Sequence, residues 1–307
     1  MKNSLLLFYF MGVVFVACAQ QDPQYSQYMF NQIGINPAFA GTRDVLSANL
    51  FYRNQWTGFP GAPTTEVFNM HSPLRGDHVS VGLQIVGDQI GPVGTTSILT
   101  TYAYKIKTRK GHLSFGLSAG VIDHVIDYSK IEYKDQTDPY ANLGSVAKIV
   151  PTFDVGIYYY TKSFYVGYSI THINQPPYGS IKDSATGTVN ALIKANQFFT
   201  LGKAWQLNEN LVFRPSVLVK AVTGLPWSID LDAGFLIRNA LWLSTTLRSS
   251  GAIAFIVQYS ISSRLKIGYA YDLTISDLSS YARSSHELYL GYDLNLYKTK
   301  TPSARYF

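Results

Sequence analysis

The chain has a single cysteine, Cys18, among its 307 residues, so once the N-terminal stretch that carries it is removed neither a disulfide nor a thiolate metal site can form. Charge is scarce too: Asp, Glu, Lys and Arg make up 14% of the residues, against about 25% in an ordinary soluble protein. That shortage argues against a conventional soluble enzyme with a charged surface, and 47% hydrophobic residues argue against a disordered chain. Long apolar runs are missing past the N-terminus. None approaches the ~20 residues of a spanning helix, and a mean hydropathy of +0.03 is far too low for a bundle of them. The net charge of +6 is spread along the chain without a basic block, which points away from nucleic acid. What the chain has instead is aromatics, 23 Tyr and 17 Phe.

The N-terminus carries Lys2, an apolar stretch from Leu5 to Ala17, and then Ala17-Cys18-Ala19. Small residues at the two positions that a signal peptidase reads make residues 1–19 a secretory signal, cut before Gln20. The rival reading is a lipoprotein signal in which Cys18, after Phe15-Val16-Ala17, is acylated.

From Val45 onward the period is two. Leu113, Phe115, Leu117, Ala119 and Val121 alternate with Ser114, Gly116, Ser118 and Gly120, the pattern of a strand with one apolar face and one small or polar face. Near the C-terminus Leu288, Leu290, Tyr292, Leu294 and Leu296 alternate with Tyr289, Gly291, Asp293, Asn295 and Tyr297. Strands are expected near 45–55, 64–74, 78–87, 95–108, 111–124, 151–161, 163–173, 193–206, 211–222, 227–238, 241–249, 252–261, 264–274 and 286–296. Many run 10 to 12 residues, about the length a tilted strand needs to cross a bilayer.

The connections alternate in length. Tight links fall at Arg75-Gly76-Asp77, Arg109-Lys110, Thr161-Lys162, Asn208-Glu209-Asn210, Asn239-Ala240 and Ser262-Ser263, and longer ones at 125–150, 174–192 and 275–285. Short turns on the periplasmic side and long loops outside are the habit of outer-membrane barrels. Because every backbone amide must be paired in lipid, a spanning sheet has to close on itself. The expected fold is therefore all-β, a transmembrane antiparallel up-and-down β-barrel of about 14 strands over 45–307, preceded by a plug or docking segment over 20–44. Trp56, Phe59, Trp205, Trp227 and Trp242 fall near expected strand ends, where rings with a polar handle would sit among lipid headgroups. The terminal Phe307 stands where many such barrels end in an aromatic.

The parity of the strands turns Arg53, Asp154, Arg214, Lys220, Asp230, Asp232, Arg238, Arg248, Lys266, Asp272, Glu287 and Asp293 inward, both signs together. Groups of mixed sign are expected to pair across the lumen rather than select one kind of ion. Chemistry gets little support. Six histidines are scattered at His71, His78, His112, His124, His172 and His286 with no helical i, i+4 pair for zinc, and no G-x-S-x-G elbow or phosphate cradle is present. Ser285-His286-Glu287 are neighbours on a strand and point to opposite faces, so they cannot form a nucleophile and base by themselves. No cofactor, metal site or catalytic residue is expected. The stretch Gln20 to Arg43 is too irregular for a strand and too rich in Tyr, Phe and Met for a solvated linker. It is expected on the periplasmic side, either plugging the barrel or presenting a docking strip.

Several ordered blocks carry a resemblance. Asp22-Pro23-Gln24-Tyr25-Ser26-Gln27-Tyr28-Met29-Phe30-Asn31 and Asn36-Pro37-Ala38-Phe39-Ala40-Gly41 are followed by Arg53, Gln55, Trp56, Phe59, Gly61 and Pro63, by His71 and Pro73, and by Asp88 and Gly91. Gly268-Tyr269-Ala270-Tyr271-Asp272 and Ser285-His286-Glu287-Leu288 come last. The chain resembles the PorP/SprF family of type IX secretion system membrane proteins across its mature length. That resemblance implies an outer-membrane barrel that is an accessory of type IX secretion, either tied to one secreted surface protein, often a large adhesin of gliding motility, or linked to the core machinery and its periplasmic ring. It implies no catalytic residues. Tyr25, Tyr28, Met29, Phe30, Asn31, Asn36, Pro37, Phe39 and Gly41 are then candidate partner-binding or plug positions, and Arg53 to Gly91 with Tyr271, Asp272, His286 and Glu287 are structural ones. The implied partners are type IX components, the C-terminal domain of a secreted surface protein held by the loops 125–150 and 174–192, and membrane lipid. The alternative is a passive channel for small or hydrophobic solutes.

Overall fold

The computed structural model describes residues 22–76, 78–135, 137, 143–183, 187–280 and 284–296. The expected leader with Cys18, the turn residue Asp77, Tyr297 and Phe307 lie outside them, as do parts of the three long connections.

Strands form where side chains alternate between apolar and small or polar, because a sheet with lipid on one side and protein on the other demands period two. They are β1 (Leu46–Asn54), β2 (Thr64–Pro73), β3 (Val79–Ile90), β4 (Val93–Lys107), β5 (His112–Asp127), β6 (Ser145–Tyr160) and β7 (Phe164–Thr171). A side hairpin of β8 (Pro177–Asp183) and β9 (Gly187–Leu192) follows, then β10 (Asn196–Lys203) and β11 (Trp205–Asn208), one crossing interrupted at Ala204. The rest are β12 (Leu211–Val222), β13 (Ser228–Ile237), β14 (Leu241–Arg248), β15 (Ala252–Ser260), β16 (Leu265–Thr274) and β17 (Ser284–Leu294).

All pairings are antiparallel, β10 pairs with β7 and β12, and β1 pairs with both β2 and β17, so the sheet closes into a barrel of fourteen crossings. Among the described residues the only helical turns are short 3₁₀ segments, and no helix is long and apolar enough to cross a membrane. The apolar face is outward: Leu50, Phe115, Leu117, Leu231, Leu247, Phe255 and Leu288 are exposed, while Ser114, Ser118, Asp230, Thr246 and Glu287 are buried inside.

The alternation expected from the sequence holds along the strands, and four features differ from it. β5 and β6 extend to 16 residues each, which shortens the connection expected at 125–150 to 128–144. The connection expected at 174–192 contains the β8–β9 hairpin, which pairs with nothing but itself. Arg238, expected inside, is exposed in the turn after β13 with φ of 50°, because the strand ends before reaching it. Trp242, expected among headgroups, is 2% exposed and faces the lumen. Its parity is that of Ser244, Thr246 and Arg248, and parity outweighs nearness to a strand end.

One rim of the barrel is made by the tight links at 74–78, 108–111, 161–163, 209–210, 238–240 and 261–264, the other by the longer connections and by the tight links at 91–92 and 249–251. The first is the periplasmic rim and the second the outer rim by the habit of such barrels.

Candidate functional site

Residues 22–45 run inside the barrel, along its length. Asp22 sits at the outer rim, where its carboxylate is 3.2 Å from His172 Nε2 and accepts from Asn196 Nδ2. At the other end Arg43 pairs with Asp293 at 2.6 Å and Lys105 pairs with Asp44 at 3.1 Å, both close to the periplasmic rim. The direction corrects the expectation that the segment begins at the periplasmic side. It ends there, and its first described residue is at the opposite mouth.

The segment keeps compact by local bonds. Gln32–Gly34 and Pro37–Phe39 form single 3₁₀ turns, and Asn36 caps the second by accepting from Ala38 N at 2.9 Å, with Pro37 at the first position of the turn where no N–H is needed. The barrel wall makes room for it. Gly116 and Gly156 face each other across β5 and β6, and a Cβ at Gly116 would lie 2.2 Å from Ala38 N, one at Gly156 2.1 Å from Asn36 Oδ1. Asn36 Nδ2 bridges to the carbonyls of Ile157 and Tyr168, so the turn is bonded as well as seated.

Toward the outer rim the lumen holds a compensated charge cluster. Arg53 reaches Asp272 at 2.7 Å and Glu287 at 3.0 Å; Arg248 reaches Asp230 and Asp272 at 3.3 Å each; Lys220 reaches Asp230 at 3.0 Å. Three cations thus meet three carboxylates from β1, β12, β13, β14, β16 and β17. Ser26 is bonded into the middle of them: its N–H donates to Glu287 at 2.8 Å, its hydroxyl donates to Asp272 at 2.6 Å and accepts from Arg53 at 2.7 Å. Gln27 N donates to the other oxygen of Glu287 at 3.0 Å. Buried ions need this complete pairing, since removing one partner strands a charge in low dielectric.

Midway, bonds and rings alternate. Asn49 donates to Asn69 and Asn69 to Asn31, at 2.9 and 2.7 Å; Tyr28 OH meets Ser216 Oγ at 2.8 Å; Tyr158 OH donates to Gln32 Oε1 at 3.0 Å. Phe30 stacks on Tyr289 at 5.3 Å and meets Trp242 edge-on at 5.6 Å, while Arg214 lies 4.0 Å over the Trp242 ring. Phe39 sits edge-on to His71 and Tyr158, and Gly41 N donates to His71 Nδ1 at 3.1 Å beside Pro73.

The sequence-derived candidates fall in several separate places. Tyr25, Tyr28, Asn31, Asn36, Pro37, Phe39 and Gly41 are buried in the lumen, with Met29 and Phe30 half-buried there. Arg53, Asp272 and Glu287 meet in the charge cluster and His71 and Pro73 meet Gly41. Gln55, Trp56, Phe59, Gly61 and Pro63 form the outer connection after β1, held by Gln55 N to Pro63 O at 2.9 Å and by Gly91 N to Gly61 O at 2.9 Å; Asp88 accepts from Thr65 nearby at 2.6 Å. Tyr271 and His286 do not join the cluster. They face the outside of the wall, rings 5.4 Å apart, one residue from Asp272 and Glu287, which face in. Ser26, Gln27, Arg43, Gly116 and Gly156 were not among the candidates. Ser26 and Gln27 lay within the first motif, and the two glycines lay on small-residue faces, but contact with the segment had no signature in sequence.

Among the described residues no group of three or more His, Cys, Asp and Glu side chains could hold a metal ion. Asp272 and Glu287 are bonded both to cations and to Ser26 or Gln27, so this part of the lumen binds a segment of the chain itself, while Asp232 accepts from Thr246 at 2.8 Å.

The sequence model of the family described as type IX secretion system membrane protein PorP/SprF matches residues 17–292. No curated protein matches the chain. Among solved structures the chain is similar to the CymD monoaromatic hydrocarbon channel, with TM-score 0.53 and 11% identity over 86% of this chain and 92% of that one. It also matches the toluene transporter TodX of Pseudomonas putida, with TM-score 0.48 and 12% identity over 88% and 95%, and a FadL homologue of Pseudomonas aeruginosa, with TM-score 0.48 and 12% identity over 84% and 92%. At this identity the likeness to CymD is one of fold.

Proposed function

This chain belongs to the PorP/SprF family of type IX secretion system membrane proteins, and from that premise we propose that it is a non-catalytic outer-membrane accessory that binds a secreted surface protein and anchors it or helps deliver it. The observation that carries this reading is the filled lumen. A barrel whose interior is occupied from rim to rim by its own residues 22–45, with charges matched and glycines cleared for the purpose, is built as a rigid support. What such a support offers a partner is its outer rim. There β5 and β6 project, the β8–β9 hairpin lies beside them with Tyr178 4.4 Å from the His124 ring, and Ile149, Ile173, Trp227 and Ile275 are exposed. A secreted protein of the gliding-adhesin kind would dock its C-terminal domain on these elements, and residues 22–45 keep the pore shut.

Replacing 131–142 by a short Gly-Ser turn tests the reading in cells that secrete such proteins. Loss of a surface protein from the tagged barrel, with the barrel still heat-modifiable on a gel, is the expected result; recovery of the same surface proteins in the same amounts counts against it. The fold shared with the CymD channel supports a second reading, a passive pore for small or hydrophobic solutes once residues 22–45 move aside. Solute-dependent liposome swelling by the unaltered chain would favour that reading over docking.

A further inference from the structure

β5 and β6 outrun the strand beside them. Both have 16 residues, and β7 pairs with β6 only along Val155–Tyr160. From Ser145 to Ile149, β6 is paired with β5 alone, through a register that runs unbroken from Asp127↔Ser145 to His112↔Tyr160.

Successive residues of an antiparallel strand turn their N–H and C=O to opposite sides. The odd-numbered residues of β6 turn theirs away from β5: Phe153 O accepts from Ile173 N at 3.0 Å, Phe153 N donates to Asn174 Oδ1 at 3.3 Å, and Pro151 O accepts from Asn174 Nδ2 at 2.8 Å. The Asn174 side chain thus stands in for a neighbouring strand where the edge leaves the barrel. Farther out, Ile149, Ala147 and Ser145 turn their backbone groups to that same side, and among the described residues no strand is paired with them there. The side chains from Ser145 to Ile149 are all exposed, Ile149 by 67%. Free edges are commonly blunted by proline and lysine. Lys148 lies within this stretch and Pro151 just beyond it, and neither takes the place of a strand.

We propose that the edge of β6 from Ser145 to Ile149 is a strand-addition site that takes an extended segment of the secreted surface protein, a proposal that rests on the docking reading above. The chemistry of an open edge is met by another strand, whose backbone supplies affinity and whose alternate side chains supply choice. Within the described residues the nearest candidate is the β8–β9 hairpin, which lies close to β6 and sets Tyr178 against His124 but pairs only with itself, and β17 ends at the opposite rim. A second copy in the same membrane is a poor match. Its β6 would run in the same direction at the same height, whereas parallel strands bond with a stagger of one residue. The incoming segment is apolar on the side of Ala147 and Ile149 and carries a carboxylate opposite Lys148 on the other.

The test uses the full-length barrel in detergent and, as probe, the isolated C-terminal domain of a surface protein secreted by the same cells. Ala147→Pro removes one edge N–H without touching the pairing to β5, and Pro151 shows that this side of the strand accepts proline. Ala147→Thr keeps the N–H. Binding is expected to weaken about tenfold or more with proline and to stay within about twofold with threonine, in line with one or two lost hydrogen bonds. In the unaltered chain the amides of Ala147 and Ile149 are expected to gain protection from hydrogen exchange when the domain binds. Unchanged binding by the proline variant, or amides that stay unprotected, overturns the strand-addition site. The variant with 131–142 replaced separates the two claims. If it loses binding while Ala147→Pro does not, docking on the outer loops stands and the edge falls. If neither weakens binding, or the domain does not bind the unaltered chain, both fall.

Discussion

Gly116 lies directly opposite Gly156 across β5 and β6, and the turn from Asn36 to Ala38 occupies the space their side chains would fill. The fit of the segment to the wall depends on that pair, since the atoms met at 2.1 to 2.3 Å include backbone that has nowhere to go.

Gly116→Val or Gly156→Val is therefore expected to push residues 22–45 out of place while leaving the barrel formed. In planar bilayers either variant should conduct where the unaltered chain is closed, and limited proteolysis should reach the segment. Ala119→Val, three residues from Gly116 but on the exposed face, is the matched control and should behave as the unaltered chain does. A closed glycine variant would mean that the segment tolerates the intrusion and does not gate the lumen.

Arg53 is shared by Asp272, Glu287 and Ser26, and its side chain is 2% exposed. Arg53→Ala leaves both carboxylates short of a partner, a loss expected to cost about 3–5 kcal/mol, whereas Arg53→Lys keeps the charge but not the two-pronged reach and should cost less. Urea unfolding of the refolded barrel, followed by tryptophan fluorescence, measures the difference. Equal stability for the three forms would show that the cluster is solvated rather than desolvated and paired.

The direction of residues 22–45 has a consequence on cells. An epitope inserted between Gln21 and Asp22 is expected to be reached by antibody on intact cells, because Asp22 is bound at the outer rim beside His172 and Asn196. One inserted at the tight turn between Arg109 and Lys110 should be reached only after the outer membrane is opened. The reverse pattern would invert the barrel in the membrane; labelling of both only after opening would place the start of the segment inside.

Much of this was written in the order of the residues. Period-two alternation located the fourteen crossings, because a wall between lipid and a polar interior gives every second side chain the same neighbour. Parity alone puts Arg53, Asp230, Arg248, Asp272 and Glu287 inside, and Trp242 with them, since its place in the alternation of β14 outweighs its nearness to a strand end. The irregular, aromatic composition of residues 20–43 marked them as something other than linker. Alternation cannot say how strands stagger around a ring or which way a segment without period runs through it. Those depend on contacts between residues more than 100 positions apart, such as Ser26 with Glu287 and Asn36 with Ile157. The tertiary structure decided that the segment threads from the outer rim to the periplasmic one, that three cations and three carboxylates cancel around Ser26, and that β6 outlasts β7 and leaves an edge. Each is a meeting of distant chain segments, and only the closed barrel brings them within bonding distance.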